Sequence, residues 1–85
     1  MRNIHKYILR ASTSTVVQLP VDAQVVHCAK QDSYICIWVM LDLSQPPTVS
    51  RTFEVVGTGW DIEDGRVHVG SLLDGEFVWH VLEVV

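Results

Sequence analysis

Basic residues are scarce in this sequence: 6 Lys and Arg stand against 10 Asp and Glu, the net charge is −4, and no basic stripe appears anywhere along the chain. That balance leaves little to grip a phosphate backbone, so direct nucleic-acid binding is not expected. It suits a basic partner instead, including a protein that itself binds nucleic acid. Long apolar runs are missing as well. The longest, Ile35 to Leu41, falls far short of the about 20 residues a bilayer-crossing helix needs, so no membrane contact is expected. Met1 to Lys6 is charged, but Arg10 and the Ser-Thr run from Ser12 to Thr15 follow before any useful apolar stretch. No signal peptide is expected, and the location read from this is cytoplasmic. Gly-x-Ser-x-Gly elbows are absent, no Cys sits in a recognisable catalytic context, and helical periodicity of useful length is found nowhere. The expectation is a protein that is not an enzyme and carries no cofactor.

Cysteine is limited to Cys28 and Cys36, which flank a turn at Lys30 to Ser33. A three-residue loop centred on Asp32 sets them opposite each other, whereas a two-residue loop offsets them onto opposite faces. In a cytoplasmic protein both are expected as buried thiols rather than a disulfide.

Apolar residues, by contrast, are plentiful. They make up 48% of the chain, mean hydropathy is +0.24, and the 85 residues form one domain spanning 1–85. A chain this small buries only about 60 to 65% of its unfolded surface. The surplus is therefore expected to form an interface with a second copy, as a homodimer, or with a partner.

The stretch Ser33 to Leu43 organises the reading. Tyr34, Cys36, Trp38 and Met40 alternate with Ile35, Ile37, Val39 and Leu41, so both faces are apolar and a central strand covered on both sides is predicted. Around it fall strands at Ile4 to Leu9, Thr15 to Leu19, Ala23 to Ala29, Val49 to Val56, Arg66 to Leu73 and Glu76 to Val84, with a turn in the Ala-Ser-Thr-Ser segment after Arg10. Pro20 closes the second, Gln45-Pro46-Pro47 separates the fourth from the fifth, and Gly57 to Ile62 is irregular. Asp74-Gly75 reads as a tight hairpin turn. The fold class is all-β, a small antiparallel meander of about seven strands forming a sandwich or partly open barrel. The apolar end, Leu82 to Val85, is expected to be paired or covered.

Several motifs together, Ile4-x-Lys6-Tyr7-x-Leu9, Leu19-Pro20, Ile37-Trp38, Arg51-Thr52-Phe53, Gly57-Thr58-Gly59 with Ile62, and Val78-Trp79-His80-Val81-Leu82-Glu83, resemble an uncharacterised family of small phage and prophage proteins. Where His commonly follows Gly-Thr-Gly in that family, this chain has Trp60. The resemblance implies a phage origin and no established activity. Small accessory phage proteins often act against host defences, so by association it implies a role in the bacterial host cytoplasm.

Four sets of residues are candidates for function. Asp61, Glu63 and Asp64 beside Trp60 read as a solvated turn or as a negative knob for a partner. Val78, His80 and Leu82 lie on one face of the last strand and are candidates for an exposed interface, with the opposite face, which carries Trp79, as the alternative. Gly57, Thr58 and Gly59 can bring backbone N–H groups toward an anion with Trp60 stacking on a base, but the plainer reading is a sharp strand exit with Trp60 as a lid. Finally, if Leu73 lies opposite Glu76 across a two-residue turn, His68 and His80 point to opposite faces, while a three-residue loop places them opposite each other; no metal site is expected in either case. The leading expectation is a non-enzymatic phage accessory protein that binds a host protein, such as a nucleic-acid-binding defence complex, and acts as an anti-CRISPR-like inhibitor. A nucleotide or small-molecule sequestering protein and a minor virion component are the alternatives.

Overall fold

Seven antiparallel strands build the protein, described for residues 1–11 and 13–85 by a computed structural model. They are β1 (Arg2–Leu9), β2 (Ser14–Leu19), β3 (Gln24–Gln31), β4 (Tyr34–Asp42), β5 (Val49–Gly57), β6 (Arg66–Asp74) and β7 (Phe77–Val84). The expected turn between β1 and β2 includes Ser12, which lies outside the described residues. One sheet has the order β1-β4-β3 and the other β2-β5-β7-β6, so the all-β expectation holds as two facing sheets that do not close into a barrel. Succession along the chain survives only in the β3–β4 and β6–β7 hairpins, and β1–β4, β2–β5 and β5–β7 join strands distant in sequence. Among the described residues no helix is long and apolar enough to cross a membrane.

Alternation explains which face goes inside. Ile35, Ile37, Val39 and Leu41 of β4 meet Phe53 and Val55 of β5, Leu72 of β6 and Val81 of β7 in one cluster, with Leu9, Val17, Leu19 and Ala23 closing it. Burying a side chain of this size contributes about 1.5–3 kcal/mol. β4 is the middle strand of its sheet, as its sequence implies, but the expected cover on both faces is not found. With two sheets, each has one face inside, and on the outer face of β4 Tyr34 is exposed while Trp38 and Met40 are half-buried. Only Cys36 is shut off there, between Ile8 and Ala29 on the flanking strands.

The hairpin turns decide the registers. Gln31 pairs with Tyr34 across the two-residue loop Asp32-Ser33, and Asp32 takes the left-handed conformation, φ 56°, that Asp tolerates. Cys28 therefore pairs with Ile37 and Cys36 with Ala29, on opposite faces, and both thiols are free. Cys28 is half-buried rather than fully buried, and desolvation pushes its thiol pKa up. Its Sγ lies 2.6 Å from where a Cβ on Gly70 would sit, so a glycine is what lets β3 of one sheet approach β6 of the other.

At the second hairpin the turn sits one residue later than expected. Asp74 pairs with Phe77 and the loop is Gly75-Glu76, with Gly75 at φ 60°. Asp74 is held in the strand by its carboxylate, which accepts hydrogen bonds from Lys30 Nζ at 2.8 Å and from Trp79 Nε1 at 3.2 Å. The apolar end of the chain is paired as expected: Val84 lies between Thr52 and Arg66, and the Val85 N–H donates to the Gly65 carbonyl at 2.8 Å.

Candidate functional site

Where β5 ends, Gly57 to Trp60 form a tight turn closed by a hydrogen bond from the Trp60 N–H to the Gly57 carbonyl at 3.2 Å. Gly59 supplies the positive φ, 87°, that the third position of such a turn demands. The turn sends Trp60 back over the strand it has just left, and a Cβ on Gly57 would stand 2.9 Å from the Trp60 ring. Gly57 is thus the floor on which the indole rests, and the lid reading of Trp60 holds.

Gly57 pairs with Trp79 of β7, which brings the two tryptophans together edge to face, with centroids 5.7 Å apart at 88°. Phe77 continues the wall, nearly parallel to Trp79 at 6.4 Å and 26°. With Thr58, Glu76 and Val78 these residues line a groove of about 370 Å³. That volume is within the range that takes a small ligand or a side chain of a partner. Trp60 and Phe77 are respectively 47% and 67% exposed, so two of the three rings face whatever enters.

The electrostatics of the groove are acidic. Glu76 is in its lining, no cation is, and Asp61, Glu63 and Asp64 are exposed on the segment that follows Trp60. Arg66 anchors the base of that segment, donating to Glu54 at 2.7 Å, to Glu63 at 3.2 Å and to the Asp64 carbonyl at 3.0 Å. Behind the groove, hydrogen bonds first from Lys30 and then from Trp79 hold the Asp74 carboxyl below the usual carboxylate range.

The sequence-level reading of the histidines is overturned. Val69 is an extra residue in β6, a bulge between the pairs His68–Leu82 and Gly70–Val81, and it turns His68 onto the face that carries Ser71 and His80. Ser71 lies directly opposite His80, and its Oγ stands 2.9 Å from His68 Nε2 and 2.7 Å from His80 Nδ1. His80 Nε2 is 2.8 Å from Thr58 Oγ1, which donates to the Val78 carbonyl at 3.3 Å. With both rings neutral every proton finds one acceptor, running from His68 through Ser71, His80 and Thr58 to the Val78 carbonyl. No third His, Cys, Asp or Glu joins the pair among the described residues. What the chain of hydrogen bonds does is tie Thr58, on the rim of the groove, to β6 and β7. His80, expected as a contact residue, is half-buried and works as the anchor of that rim.

The expected contact face of β7 needs a second correction. Leu82 is 3% exposed, set between Glu54 and His68 on the neighbouring strands, and is not available to a partner. Val78 is half-buried and Trp79 lies on the opposite, inward face from His80. The residues that sequence reasoning missed are Phe77 and Glu76. The only signal for them was their place beside the Asp74-Gly75 turn, which puts them level with the end of β5.

Gly57→Ala is expected to leave the fold intact and to empty the groove of its lid. The Trp60 ring is half-exposed and able to swing away, so the cost is expected to be about 1 kcal/mol, but it can no longer rest on the strand. Nuclear Overhauser contacts between the Trp60 and Trp79 indoles should vanish while the amide spectrum of the remaining strands is retained. Persistence of those contacts would show that the floor need not be glycine.

A family model described as a domain of unknown function, DUF7352, matches residues 1–85. No curated protein and no solved structure matches the chain.

Proposed function

The chain belongs to the DUF7352 family, and on the geometry of its own groove we propose that it is a non-catalytic binding module whose target is a basic protein. The observation that carries this reading is the aromatic groove of Trp60, Phe77 and Trp79 with Glu76 in its lining, beside the exposed Asp61, Glu63 and Asp64. Accessible aromatic anchors ringed by charge are the composition of a protein-recognition patch. The acidic rim orients a basic partner and speeds its encounter. The finer proposal, resting on the phage resemblance of the sequence motifs, is a phage accessory protein acting in the bacterial cytoplasm. There it occupies the nucleic-acid site of a host defence complex in the manner of an anti-CRISPR inhibitor. Occlusion needs only shape and charge complementarity, which a domain of this size can supply.

The nucleotide-sequestering alternative has less to support it. A phosphate at the Gly57 loop would meet no cation in the lining and one carboxylate, and the Trp60 N–H is already given to the Gly57 carbonyl.

Affinity capture from bacterial lysate tests the proposal. The wild-type chain should retain one nucleic-acid-binding protein in stoichiometric amount, and added DNA should compete for it. Trp60→Ala and the Asp61→Lys, Glu63→Lys double variant should each release it. No stoichiometric partner, or one held equally by both variants, would overturn the assignment of this surface.

A further inference from the structure

Resting on the reading of the groove as a protein-binding site, we infer that its occupant is an arginine side chain of the partner. A groove walled by aromatic rings with only apolar chemistry takes a leucine or a phenylalanine, but three features of this one select a planar cation. Trp60 and Trp79 meet at 88° and form a corner, so a flat group lying on one ring face presents its edge to the other ring. A cation over an indole face is drawn by the negative face of the ring quadrupole, and a guanidinium adds flat stacking that an ammonium lacks.

The second feature is the bond behind Trp79. Its Nε1–H donates to Asp74 at 3.2 Å, and a carboxylate accepting from an indole N–H pushes electron density into the ring, which strengthens the attraction of the indole for a cation held in the corner. Lys30, the nearest cation to that carboxylate, spends its charge on Asp74 at 2.8 Å and lies outside the groove lining. The third is Glu76, whose exposed carboxylate in the lining can accept two parallel hydrogen bonds from the guanidinium fork while the rings hold its plane. Arginine is also the residue with which proteins most often read phosphate and guanine. Capturing one such side chain removes it from a nucleic-acid site.

The test compares three short Gly-Ser peptides that differ at one central position: arginine, citrulline and lysine. Citrulline keeps the shape of arginine and loses its charge. Each is titrated into the full chain while the indole Nε1–H resonances of Trp60 and Trp79 are followed. The arginine peptide should shift both resonances along a saturable curve, with lysine weaker and citrulline weaker by roughly tenfold or more. Glu76→Gln should weaken the arginine peptide several-fold, and Trp60→Ala should abolish its effect on Trp79. Trp60→Phe, which keeps a ring, should restore most of it. Circular dichroism of each variant confirms that the strands remain.

Equal binding of citrulline and arginine, or an arginine curve unaffected by Trp60→Ala, overturns the inference. Failure of the arginine peptide while capture of the lysate protein still depends on Trp60 also overturns it, and leaves the protein-binding function standing. Failure of both overturns both.

Discussion

Phe53→Ala is expected to lower the folding free energy by about 3–5 kcal/mol, the usual cost of deleting a buried aromatic ring and leaving the space behind. A domain of this length has about 4–13 kcal/mol in total at the general figure per residue, so the variant should sit at the edge of unfolding. Phe53 is the largest of the fully buried side chains, 1% exposed, on the inner face of β5 between β2 and β7. Its pairs, Thr15 and Glu83, place it where the two long-range ladders of the second sheet meet, so neither neighbour can fall into the vacancy without breaking a ladder. Urea unfolding followed by tryptophan fluorescence measures the loss. Phe53→Leu, which keeps most of the volume, should cost under about 1.5 kcal/mol. A drop of less than about 1 kcal/mol for the alanine variant would mean that the core collapses around the site far more freely than a sandwich of short strands should allow.

Arg51→Ala should follow, at about 2–3 kcal/mol, the range for hydrogen bonds to charged groups left unmade. The guanidinium donates from Nε and from one terminal nitrogen to the two oxygens of Glu83, both at 2.7 Å, and from the other nitrogen to the Ala23 carbonyl at 2.6 Å. It also lies 5.7 Å from the centre of the Phe53 ring. One side chain thus ties β5 to β7 and to the connection between β2 and β3. With side chains only 21% and 17% exposed, the pair is screened by solvent less than an ordinary surface ion pair, which contributes little. Arg51→Lys should recover less than half of the loss, because an ammonium cannot span both carboxylate oxygens and the carbonyl together. A double-mutant cycle with Glu83→Ala should give a coupling of at least about 1 kcal/mol. Coupling near zero, with a midpoint that moves with salt, would reduce the pair to a solvated one.

The same residues show how far the sequence could be read. Arg51, Phe53 and Val55 alternate onto one face of a strand, and that alternation was legible along the chain. The bidentate partner was not, since Glu83 lies 32 residues away and only the β5–β7 ladder sets them side by side. Trp60 as a lid was readable from Gly57 and Gly59, because the backbone freedom of glycine is a property of the residue itself. That Trp79 forms the other half of the corner was not, because it depends on Gly57 and Trp79 being paired.

By itself, then, the sequence determined the seven strands, the central place of β4 in its sheet and the irregular segment after β5, all of which follow from local preferences and the two-residue period of a strand. The tertiary structure alone decided the order of strands in the sheets, the one-residue shift of the last turn and the bulge at Val69 that brings His68 and His80 onto one face. It also buried Leu82 and left Phe77 and Glu76 at the groove. The physical reason is common to all of these. A strand states which residues alternate but not which strand it lies beside, and with a period of two a single extra or missing residue reverses every face beyond it.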